Sequence, residues 1–309
     1  MTKYGGHTLI AASNFPIFLK ILNMIRLLLA AAILSSSAYA QTGSEILLFD
    51  LKVKKSSITL SNPKNITNHP GYDNQPGFNR ELPIVYFSSF NDEGRSDIKA
   101  YNYKTNHLSS VTQTQEREYS PTHTPDQQFL SCIIQRDNGA QDLGKYPVDG
   151  GEPSVIIDNL MVGYHAWADN SHVALFVLGQ PNTLHFMRLP TKEDTVLAQN
   201  IGRSLHRVPG TRSISFVQKL SETEWQIKQF DTETLKITTY ASTLPGREDI
   251  AWTPNGILLS SDGTKILMYT PQDKIWKPVR IENGAELLKG VTRLAVSTKG
   301  DKLAVVIAE

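Results

Sequence analysis

Residues Gly163–Gly179 read GYHAWADNSHVALFVLG: a short extended segment, a polar turn at Ala168-Asp169-Asn170-Ser171, then an apolar run. The pattern returns as YSPTHTPDQQFLSCIIQ from Tyr119 and as DIAWTPNGILLSS from Asp249. Taken as a marker, the polar turn recurs near Arg80, Asp126, Asp169, Gly210, Asn255 and Gly300, at gaps of 46, 43, 41, 45 and 45 residues. A fixed period of about 40–50 residues is the signature of a four-stranded propeller blade.

Each marker precedes a strand-like run: PIVYFSSF, FLSCIIQ, HVALFVLG, SISFVQK, ILLSS and KLAVVIAE. Two further runs usually follow, as in DIKAYNYKTNHLSSVTQ and EWQIKQFDTETLKITTYA. Their apolar residues alternate, and Asn, Asp, Thr and Lys sit at the turns, which is the pattern of β-hairpins. The final repeat, VTRLAVSTKGDKLAVVIAE, holds two strands, and EILLFDLKVKKSSITLS from Glu45 holds an outer pair. Together they complete one blade, so ring closure by the N-terminal strands leaves no free edge. The expectation is an all-β fold, a six-bladed β-propeller over residues 41–309 closed by N-terminal strands completing the C-terminal blade. The competing architecture is an all-β sandwich.

Here the chain resembles the TolB-like family of exported β-propellers, whose repeats resemble WD repeats. The motifs are an aromatic or Ser-Pro lead-in, a Pro-Asp-Gly-type turn and a hydrophobic strand, here YSPTHTPDQQFLSCII, HAWADNSHVALFV and AWTPNGILL. The turns are degenerate: Gly is missing after Asp126 and Asp169, and Asn255 stands in place of Asp. The resemblance implies a relative of the propeller part, without the N-terminal domain of TolB. It also implies a binding role.

The first 40 residues carry Lys3, Lys20 and Arg26 and no acid. From Met24 they read as a charged start, an apolar run from Leu27 to Leu34 and SSSAYA, which is a secretory leader cleaved after Ala40. Met24 is the expected start, the mature protein has no transmembrane segment, and its place is the periplasm or the cell exterior. Without the leader, 28 basic residues stand against 30 acidic ones, since three of the 31 Lys and Arg lie in it. That balance gives no electrostatic footprint for nucleic acid. Cys132 is the one cysteine, so no internal disulfide forms, and it reads as a small buried hydrophobe.

No G-x-S-x-G elbow, H-E-x-x-H, Walker A loop or G-x-G-x-x-G occurs. Binding in a propeller uses the channel mouth, where the innermost strands begin. Aligning DNQPGF, EYSPTH, VGYHAW, RSLHRV, REDIAW and GVTRLA brings candidate residues to one funnel. They are Tyr72, Asn74, Glu118, Tyr119, Tyr164, His165, Arg203, His206, Glu248, Asp249 and Arg293. Tyr offers a ring and a hydroxyl, Arg a planar fork for carboxylates, and His a group that titrates near neutrality. Trp167 and Trp252 are expected in the inter-blade core, with Phe78 beside them.

Two function classes follow. The first is a non-catalytic binding or scaffold protein that engages an envelope protein, a peptide or a small polar ligand at the funnel, as a monomer and without a cofactor. The alternative is a metal-dependent hydrolase or lactonase-type enzyme with Ca or Mg in the channel, held by Glu118, Asn74, Asp249 and His165. A purely structural partner using an outer blade face is the third possibility.

Overall fold

The computed structural model describes Met1, Thr2, Gly5 and residues 43–54, 57–149 and 151–309. The expected leader, with Met24 and the cleavage position at Ala40, lies outside the described residues. Among those described, no helix is long and apolar enough to cross a membrane.

The strands form six antiparallel blades, and the inner strands touch in cyclic order. Blade I runs Asp73–Phe78, Ile84–Phe90, Ser96–Asn102 and His107–Ser110, from channel to rim. Blade II begins with Arg117–His123, blade III with Val162–Trp167, blade IV with Ile201–Arg207 and blade V with Ile250–Trp252. Blade VI mixes both ends of the chain: Arg293–Val296, Lys302–Ala308, Ser44–Lys54 and Ser57–Asn65. The expected closure is therefore present, with Ser44 to Asp50 paired against Ala308 to Lys302. One feature was not expected. A two-residue strand, Arg280–Ile281, adds in parallel to Ser57–Asn65 and makes this blade five-stranded.

The turn after each inner strand explains why so loose a motif repeats. In all six a side-chain oxygen accepts backbone N–H groups: Asn79, Thr124, Asp169, Thr211, Thr253 and Ser297. Such bonds satisfy backbone donors that the ladder leaves free, so Asn, Asp, Ser or Thr serves equally. Three of these turns also close with an N–H from a left-handed residue: Gly256 (φ 77°), Gly300 (φ 69°) and Gln127 (φ 61°). Only glycine adopts that conformation freely. Gln127→Gly should raise stability by about 0.5–1 kcal/mol, measured by urea unfolding, because it removes the left-handed strain. A lower unfolding midpoint would show that the Gln127 side chain does something the turn needs.

Apolar faces pack between neighbouring blades. Phe176, Phe186, Phe216 and Phe230 fill one layer; Leu47, Phe49, Leu259, Leu303 and Val305 fill another. Cys132 is fully buried against Ile134 and Tyr146, and burial pushes its thiol well above the ordinary range. Trp167 and Trp252 are buried in inter-blade clusters as expected. Each also donates its indole N–H, at 2.9 Å, to a serine on the second strand of the preceding blade, Ser131 and Ser215 respectively. These latches tie blade II to III and blade IV to V.

Candidate binding site at the channel mouth

The inner strands enclose a channel of about 370 Å³. In blades I to IV the inner strand carries a bulge against its neighbour, between Asn74 and Gly77, Tyr119 and Thr122, Val162 and Tyr164, and Ile201 and Leu205. Bulges re-aim side chains and often sit beside functional sites. At the blade I bulge Gln75 takes a left-handed conformation and its Oε1 accepts the Ser120 N–H of blade II at 2.7 Å. That inter-blade bridge carries no motif in the sequence.

At the mouth where the inner strands begin, a polar network crosses the opening. Arg293 of blade VI donates to the Tyr164 hydroxyl of blade III at 2.7 Å, and its guanidinium lies 5.1 Å from the centre of that ring. Blades III and VI stand opposite in a ring of six, so the pair forms a bar across the channel. Asp249 accepts Arg203 at 2.7 Å and lies 3.7 Å from Arg293. Glu248 accepts the Arg203 backbone N–H at 3.2 Å and pairs with Lys219 at 3.1 Å. Burial alone would pull the Arg203 guanidinium down; Asp249 instead holds it above its ordinary value. A recess of about 120 Å³ beside this network is lined by Arg203, Glu248, Asp249 and Arg293, among others.

Tyr72 packs on Phe90 at the same end, with ring centres 4.8 Å apart. Burial pushes its hydroxyl up to about 12, while the charges of Arg293 and Arg203 act against that rise. Tyr119 is likewise raised by burial and feels Tyr164. Arg203, Asp249 and Arg293 line both the channel and the recess, Tyr164 lines the channel and Glu248 the recess, while Tyr72 and Tyr119 lie near them without lining either.

His165 and His206 lie deeper in the channel wall. The His165 Nε2 pairs with Ser131 Oγ at 2.7 Å, and that of His206 with Ser204 Oγ at 2.9 Å. Burial lowers both imidazoles to about 4, so neither is charged at neutral pH. His123 also lines the channel; its Nε2 faces the Asn79 amide at 3.2 Å, and burial lowers its pKa too. The Nδ1 atoms of His123 and His165 have no hydrogen-bond partner among the described residues.

Two candidates do not reach the opening. Glu118 is fully buried, and its carboxylate accepts the hydroxyls of Thr112 at 3.1 Å and Tyr146 at 2.9 Å. Asn74 is buried too, donating to Ser44 Oγ at 3.3 Å and accepting the Gln75 N–H. Of the expected metal set, Glu118, Asn74, Asp249 and His165, each side chain has hydrogen-bond partners of its own. Among the described residues no group of three His, Cys, Asp or Glu side chains is placed to hold a metal ion.

No protein-family model matches the chain, and no curated protein matches it in sequence. Solved structures do match in shape. A protein assigned as TolB from Agrobacterium tumefaciens superposes with a TM-score of 0.67 over 87% of this chain and 99% of its own, at 14% identity. The fold is that of a TolB-like propeller. TolB from Acinetobacter baumannii gives a TM-score of 0.54 at 12% identity, covering 92% of this chain and 68% of that one. An oligogalacturonate lyase in complex with manganese gives 0.55 at 14% identity, covering 82% of this chain and 83% of its own. At these identities the TolB likeness concerns architecture, and the same architecture is also found in an enzyme.

Proposed function

We propose that the protein is an exported binding or scaffold protein of the periplasm or cell exterior that engages a protein, peptide or other envelope component at the channel mouth. The observation that carries this reading is the network of Tyr164, Arg203, Asp249 and Arg293, contributed by four blades to one opening. Paired charges and a tyrosine at a rim can exchange their mutual bonds for bonds to a partner, and Arg and Tyr are the side chains enriched at interface hot spots. The likeness to TolB supports a binding role, and the leader-like first 40 residues support export.

The test is crosslinking in the native host followed by recovery of the protein and its attached partner. Arg203→Ala with Arg293→Ala should reduce recovery at least tenfold, the effect of losing about 1.4 kcal/mol, while the folded state persists by circular dichroism. Undiminished recovery by the folded double variant would sink the reading.

A metal-dependent hydrolase or lactonase is the second reading, and the manganese-bound lyase of similar architecture favours it. A stoichiometric calcium or magnesium ion in the purified protein, lost in Asp249→Asn, would move the assignment there.

A further inference from the structure

The channel wall carries four guanidiniums, from Arg80, Arg203, Arg207 and Arg293, and one carboxylate, that of Asp249. The two ends treat this charge differently. Where the inner strands begin, Arg203 and Arg293 are matched by Asp249 and Glu248. Where they finish, Arg80 and Arg207 have no ion pair among the described residues. Arg80 follows the inner strand of blade I and Arg207 ends that of blade IV, and these blades are opposite in a ring of six. One Arg207 N–H bonds the Ala168 carbonyl, which fixes its place and leaves its charge uncompensated.

We infer that this second mouth is a binding site for an oxyanion carrying at least two negative charges, a polycarboxylate or a phosphate ester. Two guanidinium forks face one opening from opposite walls, and each matches a carboxylate or phosphate edge in bidentate fashion. Both arginines are exposed at this mouth, and a concave end that carries only positive side chains also concentrates counter-ions. Arg80 feels this proximity: partial burial lowers its pKa, and the positive charge of Arg207 lowers it further. The neighbouring carboxylates Glu81, Asp126 and Asp169 do not line the channel; Asp126 is bound by Thr124 and Gln128, and Asp169, next to Ala168, by Ser171 and His172. Phe78 and Trp167 supply apolar wall at the same level, suited to the body of a ligand whose charge sits on the arginines. The site lies at the opposite end from the rim network and does not depend on what binds there.

Isothermal titration of the full protein with citrate and with pyrophosphate, at low ionic strength, tests this. One saturable site is expected for at least one of the two, with acetate failing to compete, and the preferred probe distinguishes polycarboxylate from phosphate. Arg80→Gln and Arg207→Gln should each weaken binding about tenfold, since a hydrogen-bonded charge pair contributes on that scale. Arg212→Gln, which alters an exposed arginine paired with Asp231, should change nothing. Arg203→Ala with Arg293→Ala should reduce partner recovery at least tenfold while saturable anion binding that depends on Arg80 and Arg207 persists, which separates this site from the rim. Absence of saturable binding to either probe, or unchanged affinity in folded Arg80→Gln and Arg207→Gln, overturns the inference.

Discussion

Placing a carboxylate at Val305 should leave the protein unable to fold. Val305 is wholly buried in the strand that closes the ring. It faces Leu47 on one side and Leu294 on the other, within the apolar layer that contains Phe49 and Leu259. An unpaired carboxylate there meets no hydrogen-bond donor, and burying such a group costs several kcal/mol, a large share of a typical total stability of about 5–15 kcal/mol. Val305→Ala is the milder comparison: it removes two methyl groups and should cost about 2 kcal/mol. Val196→Asp, on the outer strand of blade III and 54% exposed, should change stability by no more than about 0.5 kcal/mol. Thermal melts followed by circular dichroism distinguish the three. A Val305→Asp protein that melts as the wild type would mean that the ring is not closed by this strand.

The second large effect is on acid stability. Burial excludes the charged form of His165 and lowers its pKa to about 4 in the folded protein, from the 6.5 of an unperturbed imidazole. The unfolded chain therefore binds a proton between these values that the folded chain does not, and stability falls as pH drops from 6.5 to 4. Above 6.5 the contribution is complete. The span corresponds to about 3 kcal/mol for His165, and His206 adds in the same direction. Glu118 and Asp73, whose carboxyls are pushed up mainly by burial, tilt the curve the other way. The readout is accordingly a difference: in urea unfolding at pH 4.5 and 7, His165→Leu should lose less stability on acidification than the wild type. Equal losses in the two proteins would show that His165 is protonated without cost in the folded state.

The architecture was legible because the turn motif is a physical requirement as well as a family habit. A side-chain oxygen that can accept backbone N–H groups recurs after every inner strand, and Asn79, Thr124, Asp169, Thr211, Thr253 and Ser297 meet that need with four residue types. The tolerance makes the motif look degenerate while the spacing stays regular. The candidate site was legible in part. Tyr164, Arg203, Asp249 and Arg293 were found because they lie at the starts of inner strands. Glu118 was misplaced because it neighbours Tyr119 in a strand, where successive side chains face opposite ways, and bulges in blades I to IV break any simple alignment of positions. In the sequence Arg80 is only a turn marker, and Arg207 only the fifth residue of the aligned stretch RSLHRV. Nothing local marks either as a channel residue; their juxtaposition exists only once blades I and IV face each other.

The pairing of Ser44 to Asp50 with Ala308 to Lys302 has a kinetic consequence. The first strand of the propeller emerges from synthesis without its partner, and its neighbour in the finished sheet is some 250 residues away in sequence. Contacts of such long range slow folding, because loop-closure entropy is lost before the contact forms. Until Lys302–Ala308 exists, Ile46 and Leu48 lack Val306 and Ala304 opposite them, and five blades can assemble only as an open arc with two exposed edges. Edges of that kind invite pairing with other chains. Aggregation during synthesis, rather than the equilibrium stability of the finished ring, then becomes the hazard that a chaperone for this chain would have to contain.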